Sequence, residues 1–344
     1  MKKKPKWLAP VAFLLLVVIT VFVVSQQSKT FTAEGFLDYV SSVSPWALAC
    51  AVVCMLGYIL CEGLALLVIC RALGYGRGLQ RGLIYSAADI YFSSITPSAT
   101  GGQPASALFM IGDGIPAAVT TVVLLLNLVF YTLSIFAVML IGLVFYPGAF
   151  GLFSTPAHMM MVAGIVFQAI LIVGLLLLIF SQKIFLRIVD LFLHLGQKLH
   201  LVKSAEKRRE KLLEMEADYR ASAGVVHQHI PAMLAALGLN VLQRVFIVLV
   251  PAVLYAGSGH PLGEMGKIFA IQSWVLMGSS AMPMPGAVGV ADYLFLDGYG
   301  TLMPDPVNME LLSRTISFYS CVLICAVVLL VAFARKRHQG SEAG

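Results

Sequence analysis

The sequence predicts an all-α polytopic membrane protein, with about six full spans and two Pro/Gly-broken re-entrant helix pairs in an inverted repeat. Three observations carry this. The chain of 344 residues is 59% hydrophobic and 12% charged, with a mean hydropathy of +0.90; a soluble globule carries roughly 25% charged residues. Apolar runs long enough to cross a bilayer recur along the whole length, so a single membrane domain over 1–344 is expected. Two further apolar stretches are broken by proline and glycine, at "TPSATGGQP" (Thr96–Pro104) and "PMPGAVG" (Pro283–Gly289).

The spanning runs fall at about 7–25, 46–70, 116–146, 158–181, 230–256 and 309–334. The first follows "MKKKPKW", is longer than the roughly 7–15 apolar residues of a signal peptide, and ends in "VVSQQS". It reads as an uncleaved span. Lysine and arginine set the orientation. Lys2, Lys3, Lys4 and Lys6, then Arg71, Arg77 and Arg81, then the basic segment 182–224, and finally "ARKRH" at the end, all read as cytoplasmic. Both termini are therefore expected inside. The Lys/Arg-poor loops 26–45, 147–157 and 257–263 fit outside.

Parity then constrains the broken stretches. Segment 83–115 begins and ends inside, and its arms, about 83–95 and 104–111, are shorter than a core of about 30 Å requires at 1.5 Å per residue. Segment 264–306 begins and ends outside; its first arm, 264–282, is long enough that a true span stays open. Repeat one covers about 46–146 and repeat two about 230–334, with opposite topology. Paired Pro/Gly-interrupted segments in two halves point to a transporter's substrate site. Irregular backbone at membrane depth is tolerated where it is buried in protein or lines a cavity. The connector 183–224 reads as an amphipathic interface helix followed by a charged, solvated helix.

The net charge of +6 follows from the cytoplasmic loops and calls for no nucleic-acid partner. The six cysteines lie in apolar runs and read as small buried hydrophobes. No GxSxG, HExxH or P-loop is present, no metal-ligand spacing stands out, and neither a cofactor nor a catalytic set is expected.

Each break is expected to start a half-helix whose N-terminus faces the protein centre, one at Pro104 and one at Gly286. Two converging N-termini favour an anion. The candidate substrate-binding set is Thr96, Pro97, Ser98, Gly101, Gly102, Gln103, Arg244, Pro283, Pro285, Gly286, Gly289, Asp292 and Arg314. Ionisable or polar side chains inside spans support it: Glu62, Asp89, Asn127 and Gln243. Arg244, near mid-span, needs a carboxylate (Glu62, Asp89 or Asp292) or a lipid phosphate as partner. Arg314 lies one turn after Glu310, so a surface pair is the alternative there. Asn127 is either interhelical glue or part of the site.

"YFSSITPSATGGQPASALFMIGDGIP" (Tyr91–Pro116) together with "PMPGAVGVADYLFLDGYG" (Pro283–Gly300) resembles the flippase-like, lysylphosphatidylglycerol synthase transmembrane family, the membrane half of the multiple peptide resistance factor. The resemblance implies a multi-pass protein of the bacterial cell membrane that flips or scrambles a phospholipid, such as aminoacylated phosphatidylglycerol. The alternative is a membrane partner, itself not transporting, that docks a separate synthase or glycosyltransferase. Lysine transfer to phosphatidylglycerol belongs to a soluble domain of full-length relatives that this sequence is not expected to contain. The chain departs from the family pattern at Gln103 and Ser106, where many relatives carry Glu and Arg. It departs again at Ala287, Ala291 and Asp292, where a second Gly and an Arg-Glu pair are common.

Overall fold

The computed structural model of the protein describes residues 33–96, 100–180, 228–280, 287, 289–303 and 306–342, and the regular structure among them is all helical. Five stretches are long and apolar enough to cross a membrane. They are Pro45–Ala72 (α2), Ala117–Phe145 (α5), Thr155–Leu177 within Thr155–Phe180 (α6), Ile230–Gly257 (α7), and the final run Val307–Arg335. The chain is a multi-pass membrane protein. The span expected at 7–25 and the connector 183–224 lie outside the described residues.

The bundle is built on α2 and α7. Ser44 N–H donates to the Gly257 carbonyl at 2.9 Å near one end. Gln243 Nε2 donates to Glu62 Oε2 at 3.0 Å further along, so the two helices run antiparallel. Small residues allow the close approach: Ala47 and Ala51 are fully buried, and Gly57 lies under the Phe246 ring. Outward faces carry large apolar side chains, such as Val144, Ile170 and Leu330, as a lipid-facing surface requires.

Two helical hairpins fill the centre. Leu79–Ile95 (α3) and Gly102–Gly112 (α4) form the first. The start of α4 lies against Asp89 and Ser93 of α3. Beyond its other end, Tyr85 Oη donates to Asp113 Oδ2 at 2.7 Å and Arg81 pairs with Asp113 at 2.9 Å. The arms are antiparallel, and the 11-residue α4 is about 16 Å long, half the core thickness. Met265–Ser279 (α8) and Val290–Tyr299 (α9) form the second hairpin. Leu294 packs on Gly278, and Tyr299 Oη donates to Gln272 Oε1 at 3.2 Å, again antiparallel. At 15 residues, α8 reaches about 22 Å, less than a full crossing.

Three features differ from the sequence expectations. A helix, Ala33–Ser42 (α1), occupies what reads as the loop 26–45. The second arm of the later hairpin opens at Val290, after Gly289 with φ +88, rather than at Gly286, which lies outside the described residues. The last run starts earlier, at Val307, and is not one regular helix. Val307–Arg314 (α10) passes into a π-helical turn, Thr315–Ser320, before Cys321–Glu342 (α11). Cys50 is exposed, whereas the other five cysteines are buried; all six are free thiols.

Candidate functional site: a polar cavity between the two hairpins

A cavity of about 810 Å³ lies where the hairpins meet the spans, within the roughly 300–1,000 Å³ typical of ligand sites. Thr100 and Gln103 from the first break line it, as do Ser279, Ser280 and Ala287 from the second. Arg244 and Arg314 both reach it. The two broken segments therefore border one space, although they are far apart in the chain.

The first break is closed by its own side chains. Thr96 Oγ1 donates to the Phe92 carbonyl at 2.6 Å and accepts from Gly101 N–H at 2.9 Å. A Cβ on Gly102 would collide with the Asp89 carboxyl and the Ser93 hydroxyl, so only glycine lets α4 start this close to α3. Gln103 Nε2 then donates to Asp89 Oδ2, and Ser93 Oγ to Asp89 Oδ1, both at 3.1 Å. Asp89 in turn meets Glu62 of α2.

Arg244 stands beside this cluster, with 3% of its surface exposed. Its Nη2 donates to Tyr58 Oη at 3.1 Å, and its guanidinium carbon sits 4.9 Å and 4.3 Å from the Tyr58 and Tyr131 ring centres. Among the described residues it forms no ion pair, and its buried Nε–H has no acceptor. Arg314 is placed differently. It pairs with Asp292, and its Nε donates to Glu310 Oε1 at 3.1 Å. All three are buried, which overturns the surface pairing that the spacing of Glu310 and Arg314 allowed. Asp292 Oδ2 also accepts from Gly289 N–H at 2.8 Å and fixes the start of α9.

Of the supporting residues, Glu62, Asp89 and Asn127 line the cavity, and Gln243 holds Glu62. Asn127 Oδ1 accepts from Asn240 Nδ2 at 3.1 Å, so it does link two helices. Pro97, Ser98, Pro283, Pro285 and Gly286 lie outside the described residues. Sequence reasoning missed Tyr58 and Tyr131. For Tyr58 a signal existed: it stands one turn from Glu62 on the same helical face. Among the described residues no group of three His, Cys, Asp or Glu side chains is disposed to hold a metal ion.

The cavity brings the guanidinium groups of Arg244 and Arg314 together with the carboxyls of Glu62, Asp89 and Glu310, hydroxyls and amides in a largely apolar wall. Neither a curated protein nor a solved structure was matched. Residues 7–325 do match the family described as the lysylphosphatidylglycerol synthase TM region, and the chain belongs to that family.

Proposed function

We propose that the protein moves a phospholipid between the leaflets of a bacterial cell membrane and that Arg244 receives the headgroup phosphate. Aminoacylated phosphatidylglycerol or a related modified lipid is the substrate class that the family suggests. In this reading both hairpins are re-entrant, inserted from opposite faces, and the halves 46–146 and 230–334 form an inverted repeat with the site between them. Both termini are cytoplasmic. The observation that supports it best is Arg244 itself. Among the described residues, a guanidinium buried beside the cavity has a hydrogen-bond donor unused and no carboxylate in direct ion pair with it. A phosphate supplies the missing acceptor.

The test is purified protein in vesicles carrying a fluorescent phosphatidylglycerol, with the outer leaflet bleached by a membrane-impermeant reductant. Movement by the chain alone supports the proposal. Movement that appears only when a synthase or glycosyltransferase is added would favour a partner docked on 183–224 instead.

A further inference from the structure

In the Asp292–Glu310–Arg314 cluster two carboxyl groups share one guanidinium. Asp292 pairs with Arg314 through Oδ1 and takes the Gly289 N–H on Oδ2. Glu310 takes Arg314 Nε–H on Oε1, while its Oε2 is buried and receives no hydrogen bond. Both carboxyl groups are buried and bond the same guanidinium. A proton on Glu310 Oε2 would give that buried oxygen a donor. Two carboxylates against one guanidinium also leave a net negative charge buried, and a proton removes it.

We propose that the Asp292–Glu310 pair is a proton-binding site, and that proton uptake on Glu310 is coupled to the admission of an anionic phospholipid headgroup. The inference rests on the lipid-moving function proposed above. The step is a single protonation: a bond forms between the proton and Glu310 Oε2, and the Arg314 Nε–H···Oε1 contact loses its charge attraction. Arg314, which lines the same cavity as Arg244, is then freer to face a phosphate oxygen. The charged groups facing Glu310 are Asp292 on α9 and Arg314 on its own helix. Tyr319 lies near Arg314. Of the helices packed on α10, α7 brings Arg244 to the same cavity, and the acidic residues of α1, Glu34 and Asp38, are exposed. By linkage, if protonation favours the anion then the anion favours protonation by the same factor. Lipid affinity therefore rises as pH falls, by at most about tenfold per pH unit for one proton.

Calorimetry decides it. Detergent-solubilised protein is titrated with short-chain phosphatidylglycerol in two buffers of different ionisation enthalpy at one pH. The expected result is a binding heat that differs between buffers, in the sense of proton uptake from the buffer. It should be lost in Glu310→Gln, which keeps the shape without a titrating proton, and in Asp292→Asn if the first variant does not fold. Binding with the same heat in both buffers would overturn the proton inference and leave the lipid function standing. Absence of lipid binding at any pH would overturn both. Inorganic phosphate is titrated in parallel; equal uptake with phosphate alone would overturn the assignment to a lipid. In vesicles, an imposed pH gradient should change lipid movement several-fold in the native protein and leave Glu310→Gln indifferent.

Discussion

Gln243 donates to Glu62 at 3.0 Å across the α2–α7 interface, 181 residues apart in sequence. Both side chains are buried, so neither has water to fall back on. Gln243→Leu should cost about 1–3 kcal/mol, the penalty of a buried polar partner left short of a donor. Glu62→Leu should cost a similar amount, and the double variant less than the sum, with a coupling of at least roughly 0.5 kcal/mol. Reversible unfolding in mixed micelles measures this; simple additivity would show that the bond contributes nothing.

Arg244→Gln should remain inserted and monodisperse, because among the described residues the guanidinium makes no direct ion pair. Lipid movement in vesicles should fall roughly 10- to 100-fold, the size of one lost charge-assisted hydrogen bond. Arg244→Lys should retain part of the activity, since charge survives while the planar fork does not. Aggregation of Arg244→Gln would mean that its role is structural.

Arg314 should behave in the opposite way. Its removal leaves Asp292 and Glu310 buried without their cation, at about 3–5 kcal/mol. Arg314→Gln is therefore expected to lower the melting temperature strongly, and Arg314→Gln combined with Glu310→Gln to recover much of it. Size-exclusion profiles and thermal melts of the three proteins read this directly.

Gly102→Ala drives a methyl group into Asp89 and Ser93. A shift of α4 away from α3 would break the Gln103–Asp89 bond and deform the cavity wall. Overpacking of this kind costs typically 1–3 kcal/mol, and movement should drop severely. Ala287 offers the reverse case. It holds φ +51, where an L-residue with a Cβ is strained by roughly 1–2 kcal/mol. Ala287→Gly should therefore raise stability by about 1 kcal/mol. An unchanged or lowered melting temperature would show that the alanine side chain packs usefully in the cavity.

Single cysteines at Gly78 and Ser258, in a chain cleared of its native cysteines, should react with impermeant thiol reagents from opposite sides. The antiparallel pairing puts Ser258 beside the Val43–Ala47 end of α2 and Gly78 beyond its other end. Labelling from one side only would contradict both the proposed topology and the helix pairing.

The hairpins were legible because proline and glycine interrupt apolar runs that are otherwise unbroken. Glu62, Asp89, Gln243 and Arg244 were legible because charge and amides are rare within spans. Tyr131 was not, since an aromatic ring in an apolar run looks the same whether it faces lipid or a guanidinium, and Tyr58 was marked only by its place one turn from Glu62. The buried state of Arg314 was hidden by its i,i+4 partner Glu310, a spacing shared with ordinary surface helices. Helix α1 is too short to register as a span, and the π turn after Arg314 carries no composition signal.

The cavity also closes late in synthesis. Its charges come from positions 62, 89, 244, 310 and 314, and chains emerge N-terminus first at roughly 5–20 residues per second. Helix α4, with its 11 residues, is too short to be handed to lipid as an independent span, so it must wait beside α2 and α3 for neighbours to enclose it. When α7 arrives, Arg244 meets Tyr58, but the opposite wall is missing until residues 307–320 leave the tunnel. Until then Asp292 has neither its cation nor Glu310. Arrest of nascent chains at successive lengths should show protease resistance around α4 appearing only once residues 307–320 are in place.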